Sequence, residues 1–332
     1  MAENLTAAQR AVLFAQGTRQ NMHTLGQKTG TAGDAISFTL PKARLLSNTF
    51  LHFDWKIVTT AATVTQKTSL MSGIIEKIEL NLNNGFTPFS VSGEALERMC
   101  ATEYSTGKES SKFTSSGGSS SQTFNGSFDL YLRNALNDRD TVSYILLQND
   151  TTYAELTIYL KSNFADLVGA TGVSSSSVTV TPTLETFTIP TTGLPDLSVL
   201  KLVHSRRQMY QSGRNEIKMS TGTIYRKILF VFPSATELTG NIELVFNQAD
   251  INYSISPQML QSISKYRGND IPTDIANGAK CYVFDFSYQG LLNMGGTRDY
   301  IDSEKLTEFS VRFNASTSGT CEIVTETLAR LS

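Results

Sequence analysis

The sequence predicts an all-β chain built as two sandwich domains in tandem, each interrupted by one short helix, with an amphipathic helix in front. Three observations predict this. Apolar residues recur at every second position in many short runs, turn-forming residues separate those runs, and the order strands, helix, strands occurs twice.

The leading helix opens at a capping box in which Thr6 precedes Gln9. Leu5, Ala8, Val12 and Ala15 follow three- and four-residue spacing, and Leu13 and Phe14 widen that face. Gly17 weakens the helix, the polar stretch 18–21 continues it toward Leu25, and Gly26 ends it. Residues 26–33 are expected as a flexible tether, which makes 1–33 an arm. Two readings stand for it. Either the face of Leu5, Ala8, Val12, Leu13, Phe14 and Ala15 packs on something outside its own core, or the helix folds back on its own domain.

The first sandwich is expected over 34–161. Leu51, Phe53, Trp55 and Ile57 alternate with His52, Asp54 and Lys56, so one strand face is buried. Ile78, Leu80 and Leu82, then Phe128, Leu130 and Leu132, then Ala154, Leu156, Ile158 and Leu160 repeat the pattern. Between them, 92–103 reads as a short helix through Leu96 and Met99, and the Ser- and Gly-rich stretch 110–122 as a mobile loop. Residues 162–177 are rich in Gly, Ala and Ser without a sustained period and are expected as the linker.

The second sandwich is expected over 178–332. Val178 and Val180 begin a strand whose Pro182 requires an edge or a bulge. Ile228, Phe230 and Phe232 face one way and Leu229 and Val231 the other, as in a strand buried on both faces. Ile242, Leu244 and Phe246 follow. Ser256 caps and Pro257 opens a helix with Met259, Leu260 and Ile263 on its apolar face, closed by Gly268. Phe284 and Phe286, then Phe309, Val311 and Phe313, then Cys321 and Ile323 complete the strands. Sandwiches with Greek-key connections, including the eight-stranded jelly roll, accommodate two such blocks. A single barrel with this many strands would be a large pore.

Composition narrows the function. Of 332 residues, 17 % are charged, below the roughly 25 % of ordinary globular chains. Ser, Thr, Asn and Gly fill the difference, as in β proteins with many turns and in surfaces that meet other subunits. Net charge is −2, and the densest basic cluster is Arg206-Arg207 with His204. No basic stripe is available to neutralise a nucleic-acid backbone, so strong nucleic-acid binding is not expected. Cys100, Cys281 and Cys321 lie far apart, without metal-ligand spacing, and read as reduced core thiols of a chain made in a cytoplasm. The first residues lack the basic start and apolar stretch of a signal peptide, and no run approaches the ~18 apolar residues of a membrane-spanning helix.

A catalytic constellation does not emerge. His23, His52 and His204 form no HxH or HExxH pattern, no G-x-S-x-G elbow occurs, and the Gly-rich stretch 26–33 lacks the Gly-Lys-Ser/Thr ending of a phosphate loop. Asp285, Asp299 and Asp302 are read as turn-capping carboxylates against the alternative of a cation site. No catalytic residue, metal ligand or cofactor is expected.

Three segments carry a family likeness: Leu5-Thr6-Ala7-Ala8-Gln9-Arg10-Ala11 continuing to Gly17-Thr18-Arg19-Gln20-Asn21, the helix inserted once in each β-block, and Asp285-Phe286-Ser287 through Asp299-Tyr300-Ile301-Asp302 to Leu306-Thr307-Glu308-Phe309-Ser310-Val311. On these the chain resembles the double jelly-roll major capsid proteins of membrane-containing icosahedral phages, the tectivirus-like lineage that includes adenovirus hexon. The resemblance implies a homotrimer whose six jelly rolls form a pseudo-hexagonal capsomer of a virion. It also implies a helix beneath the capsomer, facing an internal membrane, a minor capsid protein or a neighbouring capsomer. The alternative is a glycan-binding or adhesive β-sandwich such as a phage spike, with Tyr282, Tyr288 and Tyr300 as stacking platforms. An enzyme on a β-sandwich ranks third.

Overall fold

The computed structural model describes residues 7–60, 62–83, 85–103, 111–136, 142–147, 153–190, 197, 199–233, 235–267, 271, 280–287 and 300–330. It divides into two compact units. The first comprises Met1–Leu96, Ser111–Leu202 and Ala329–Ser332; the second comprises Glu97–Ser110 and Val203–Leu328.

In the first unit, helix α1 (Ala7–Gly17) leads into β1 (Gln20–Thr24), β2 (Lys28–Gly30), β3 (Ala35–Thr39) and the long β4 (Leu45–Thr59). Strands β5 (Lys67–Leu70), β6 (Ile75–Leu82) and β7 (Phe86–Val91) precede helix α2 (Gly93–Glu103), which from Glu97 on belongs to the second unit. Then come β8 (Lys112–Ser115), β9 (Thr123–Arg133), β10 (Ile145–Leu146), β11 (Ala154–Leu160), the short α3 (Ala165–Val168) and β12 (Val173–Phe187), followed by β13 (Val199–Tyr210), which from Val203 on belongs to the second unit. One sheet runs β1-β12-β4-β10, with β2 also on β12 and β9 on β4; a second holds β7-β6-β11-β3, and β5 pairs with β8.

Strand β4 shows why these residues form a sandwich. Leu51, Phe53, Trp55 and Ile57 are buried, while His52, Asp54 and Lys56 are exposed, so its period of two divides core from outer face. Phe53 stacks on Phe128 of β9 with centroids 4.9 Å apart. From the opposite sheet, Ile78 and Leu80 of β6 and Leu156 and Ile158 of β11 are at most 1 % exposed.

The second unit adds β14 (Gly213–Lys218), β15 (Ile224–Phe232), β16 (Leu238–Phe246) and β17 (Asp250–Ile255) before helix α4 (Pro257–Tyr266). Strands β18 (Lys280–Asp285), β19 (Ile301–Asp302), β20 (Phe309–Ala315) and β21 (Gly319–Arg330) follow. One sheet runs β14-β20-β16-β17, and the other β18-β15-β21-β13 with β19 also on β15. Their inner faces share a core that includes Phe230, Phe232, Leu244, Phe284, Phe309, Val311, Phe313 and Ile323. Phe232 meets Phe313 edge-on at 5.1 Å and Tyr210 at 5.4 Å, a favoured aromatic geometry. Strand β15 is buried on both faces, as its apolar run Ile228–Phe232 predicts. Ser256 caps α4 as expected, its hydroxyl accepting the Met259 amide at 3.3 Å.

The structure corrects the sequence reading in four places. Residues 20–24 do not extend α1. Thr18 turns back to the Phe14 carbonyl through both its amide (3.0 Å) and its hydroxyl (2.7 Å), and β1 then pairs with β12 from Gln20↔Phe187 to Thr24↔Thr183. The expected tether contains β2, paired with Val178–Val180 of β12. The expected linker 162–177 holds α3 and the start of β12. Gly169 ends α3 in the left-handed region (φ 69°), where a Cβ would lie 2.5 Å from the Thr65 carbonyl. Strand β12 runs against β4 from Val173↔Thr59 to Phe187↔Leu45, so a strand assigned to the second block is counted with the first unit. Finally, within the expected mobile loop, β8 pairs with β5 and Gly118 bridges Val64.

Pro182 occupies the special place its chemistry requires. It lies opposite the interval between β1 and β2, where its carbonyl accepts the Leu25 amide at 2.8 Å. Amide and carbonyl of one strand residue point the same way, so the nitrogen without hydrogen faces that interval and the pairing of β12 with β4 on the other side continues past it at Leu51.

Candidate assembly surfaces

The residues expected to form the arm face do not all point one way. Phe14 is 5 % exposed, edge-on to Tyr144 at 5.7 Å and 5.4 Å from Phe187, so α1 is anchored on its own unit through this ring. Leu13 is half-buried, whereas Val12 (55 % exposed) and Ala15 face solvent. Leu5, the capping residue Thr6 and the side chain of Ala8 lie outside the described residues. Met22 of β1 is also exposed. The first unit therefore presents isolated apolar side chains along α1 and β1 around one buried anchor.

The outer face of the β12–β4–β9 sheet is mostly neutral and polar. Thr24 meets Thr183 at 3.0 Å and Thr29 meets Thr179 at 2.8 Å across neighbouring strands. Within this face His52 lies between two carboxylates, with Nδ1 2.7 Å from Asp129 Oδ1 and Nε2 3.4 Å from Asp54 Oδ1. The hydrogen bond to Asp129 raises the His52 pKa above its ordinary value, and the Asp54 charge adds to the effect. His23 lies on the exposed β1 and His204 is half-buried on β13.

The carboxylates considered for a cation have structural work. Asp302 accepts the Glu304 amide at 3.1 Å, and Asp285 accepts the Ser287 amide at 2.9 Å. Asp299 lies outside the described residues, among which no group of three or more His, Cys, Asp or Glu is placed to hold a metal. Tyr282 is 4 % exposed and its ring packs 6.0 Å from Phe232, so it offers no stacking platform. Tyr300 packs on the core and its hydroxyl accepts from Arg226 Nε at 3.1 Å; Tyr288 is outside the described residues. Arg206 donates to the Lys218 carbonyl at 2.7 Å. All three cysteines are buried, and burial pushes the Cys321 thiol up to about 11.

A buried ionic network in the second unit escaped the sequence reading. Arg226 of β15 pairs with Glu326 of β21 and lies 3.7 Å from Glu103 of α2. Its neighbour Lys227 donates to the Thr102 hydroxyl at 2.9 Å and lies 3.9 Å from Asp285. Consecutive strand residues normally point to opposite faces. Here the β15–β21 register shifts between Tyr225 and Lys227, and this bulge lets both cations reach the end of α2. Burial disfavours the Arg226 charge, but Glu326 and Glu103 more than offset it and hold the guanidinium pKa above its usual value. The partners are distant in sequence; the visible signal was an Arg-Lys pair interrupting the apolar run Ile224–Phe232.

No protein-family model and no curated protein matches the sequence. Solved structures do. The crystal structure of the STIV MCP superimposes with a TM-score of 0.70 at 14 % identity, covering 94 % of this chain and 97 % of that one. The major capsid protein of bacteriophage PM2 gives 0.59 at 10 % identity, covering 95 % and 98 %. The PBCV-1 virus capsid gives 0.63 at 10 % identity, covering 93 % of each chain. Coverage at that level takes in both units. The chain therefore has the double jelly-roll fold of the viral major capsid proteins.

Proposed function

We propose that this chain is the major capsid subunit of an icosahedral virus, a structural protein and not an enzyme. The observation that carries the reading is the likeness to the STIV MCP along nearly the full length of both chains. A shared single domain would leave many functions open; matching two tandem jelly rolls without large remainders restricts them.

In this reading three copies associate through the neutral polar walls of their sandwiches into a capsomer with six jelly rolls and a pseudo-hexagonal outline. The interface is obligate and on the order of 2,000–5,000 Å². Capsomers then meet through weaker contacts in the shell of a virion. Helix α1, with Val12 and Ala15 outward, contacts a neighbouring capsomer, a minor capsid protein or an internal membrane. Synthesis in a host cytoplasm agrees with three buried cysteines that form no disulfide.

Size-exclusion chromatography with light scattering, followed by electron microscopy, tests the proposal. Trimers with a hexagonal outline are the expected result, and a stable monomer at micromolar concentration overturns it. Removing residues 1–17, which keeps β1, should leave trimers intact and impair shell formation. Unfolded trimers would show that α1 belongs to the core.

A further inference from the structure

We propose that the buried network around Arg226 is an acid-sensitive latch, which fastens the C-terminal turn of α2 to β15 while its carboxylates are charged and releases that turn on acidification. This inference stands independently of the capsid reading.

The latch is built from groups that water cannot rescue. Arg226 is 7 % exposed, Lys227 2 % and Glu326 1 %. Charges at such positions persist only when paired, and removing one partner leaves the other charge buried and uncompensated. Glu326 supplies the close partner of Arg226, and Glu103 stands farther off at 3.7 Å. Neutralising Glu326 therefore removes the principal counter-charge of a cation that cannot itself lose its proton near neutral pH.

The second cation addresses the last described residues of α2 directly. Lys227 Nζ lies 3.4 Å from the Thr102 carbonyl and 2.9 Å from its hydroxyl, and is steadied by Asp285 across the β15–β18 pair. Asp285 is in turn fixed from α4, where Arg267 donates to its backbone carbonyl at 2.9 Å.

Among the described residues, the charged and polar groups around the turn are Arg226 and Lys227 from β15, Glu326 from β21, Asp285 from β18, Arg267 at the end of α4, and Tyr300. On α2 itself, Glu97 and Arg98 are buried farther up the helix and partnered. Apolar burial holds the earlier part of the helix, at Leu96, Met99 and Cys100. The contacts between Thr102–Glu103 and β15 are ionic or hydrogen-bonded, so acid acts selectively on the last turn.

A carboxylate paired with a buried guanidinium gives up its charge only below the ordinary carboxylate range, so hydrogen exchange with mass spectrometry on the full chain, corrected for intrinsic rates, tests this at pH 7 and pH 3. Peptides ending at Glu103 should lose at least tenfold protection at the lower pH, while peptides from β15 and β20 keep theirs. Glu326→Gln should reproduce that loss at pH 7. The variant combining Arg226→Met, Glu326→Leu and Glu103→Met should hold the turn at both pH values. A wild-type turn that keeps its protection at pH 3, or that opens only together with β15 and β20, overturns the proposal. So does a neutral variant that retains the pH response. The wild-type titration decides the matter if either variant fails to fold.

Discussion

Among the described side chains of α1, Phe14 alone is buried, which makes Phe14→Ala the sharpest probe of how the helix is held. Moving a Phe ring from this site into water forfeits roughly 2–3 kcal/mol of apolar burial. Its contacts with Tyr144 and Phe187 contribute about 0.5–1.5 kcal/mol each. The sum, about 3–6 kcal/mol, spans the roughly 3–5 kcal/mol usual for Phe→Ala in a core. An isolated helix as short as the 11 residues of α1 is marginal in water, so little remains to hold it. The expected outcome is a local one: α1 loses its exchange protection and some helical ellipticity, while β4 and β6 stay protected and the main thermal transition moves little. Val12→Ala serves as the control, because an exposed side chain should change stability by less than about 0.5 kcal/mol. Unchanged protection of residues 7–17 in Phe14→Ala would refute the assignment of Phe14 as anchor.

Two further outcomes follow from the geometry. His52 titrates above its ordinary value because of the hydrogen bond to Asp129; its stabilising contribution is therefore complete below about pH 6.5 and lost as pH rises through the folded-state pKa. Asp129→Asn should move the His52 resonance titration downward, and an unchanged midpoint would contradict the pairing. At the start of α2, a Cβ on Gly93 would lie 2.2 Å from the Ser72 carbonyl and 2.7 Å from Ile75 Cβ, so Gly93→Ala should cost about 1–3 kcal/mol in a denaturant melt.

The legible parts of the fold were those where burial writes a period into the sequence. Strand β4 alternates because one face meets Phe128 and the other meets water; β15 is apolar without a break from Ile228 to Phe232 because both faces are covered there. Strand β1 gave no such signal. All five of its side chains are exposed, and its place is set by backbone pairing with β12. The start of β12 was hidden in the same way, since Val173–Ser177 carries Ser residues that are exposed or half-exposed, and composition alone resembles a linker. The ionic network could not be read from spacing, because Glu103, Arg226 and Glu326 are brought together by topology. Only the bulge, invisible in sequence, explains why adjacent cations serve one helix end.

The proline opposite Leu25 divides the covering of β12 into two short fastenings, Gln20–Thr24 and Lys28–Gly30. A single long ladder would open or stay shut as a whole. With the seam interrupted, the outer piece and the helix attached to it can peel away while the inner piece keeps the β12 edge capped. The terminus thus gains freedom of movement without baring the full edge of the sheet to a neighbouring strand.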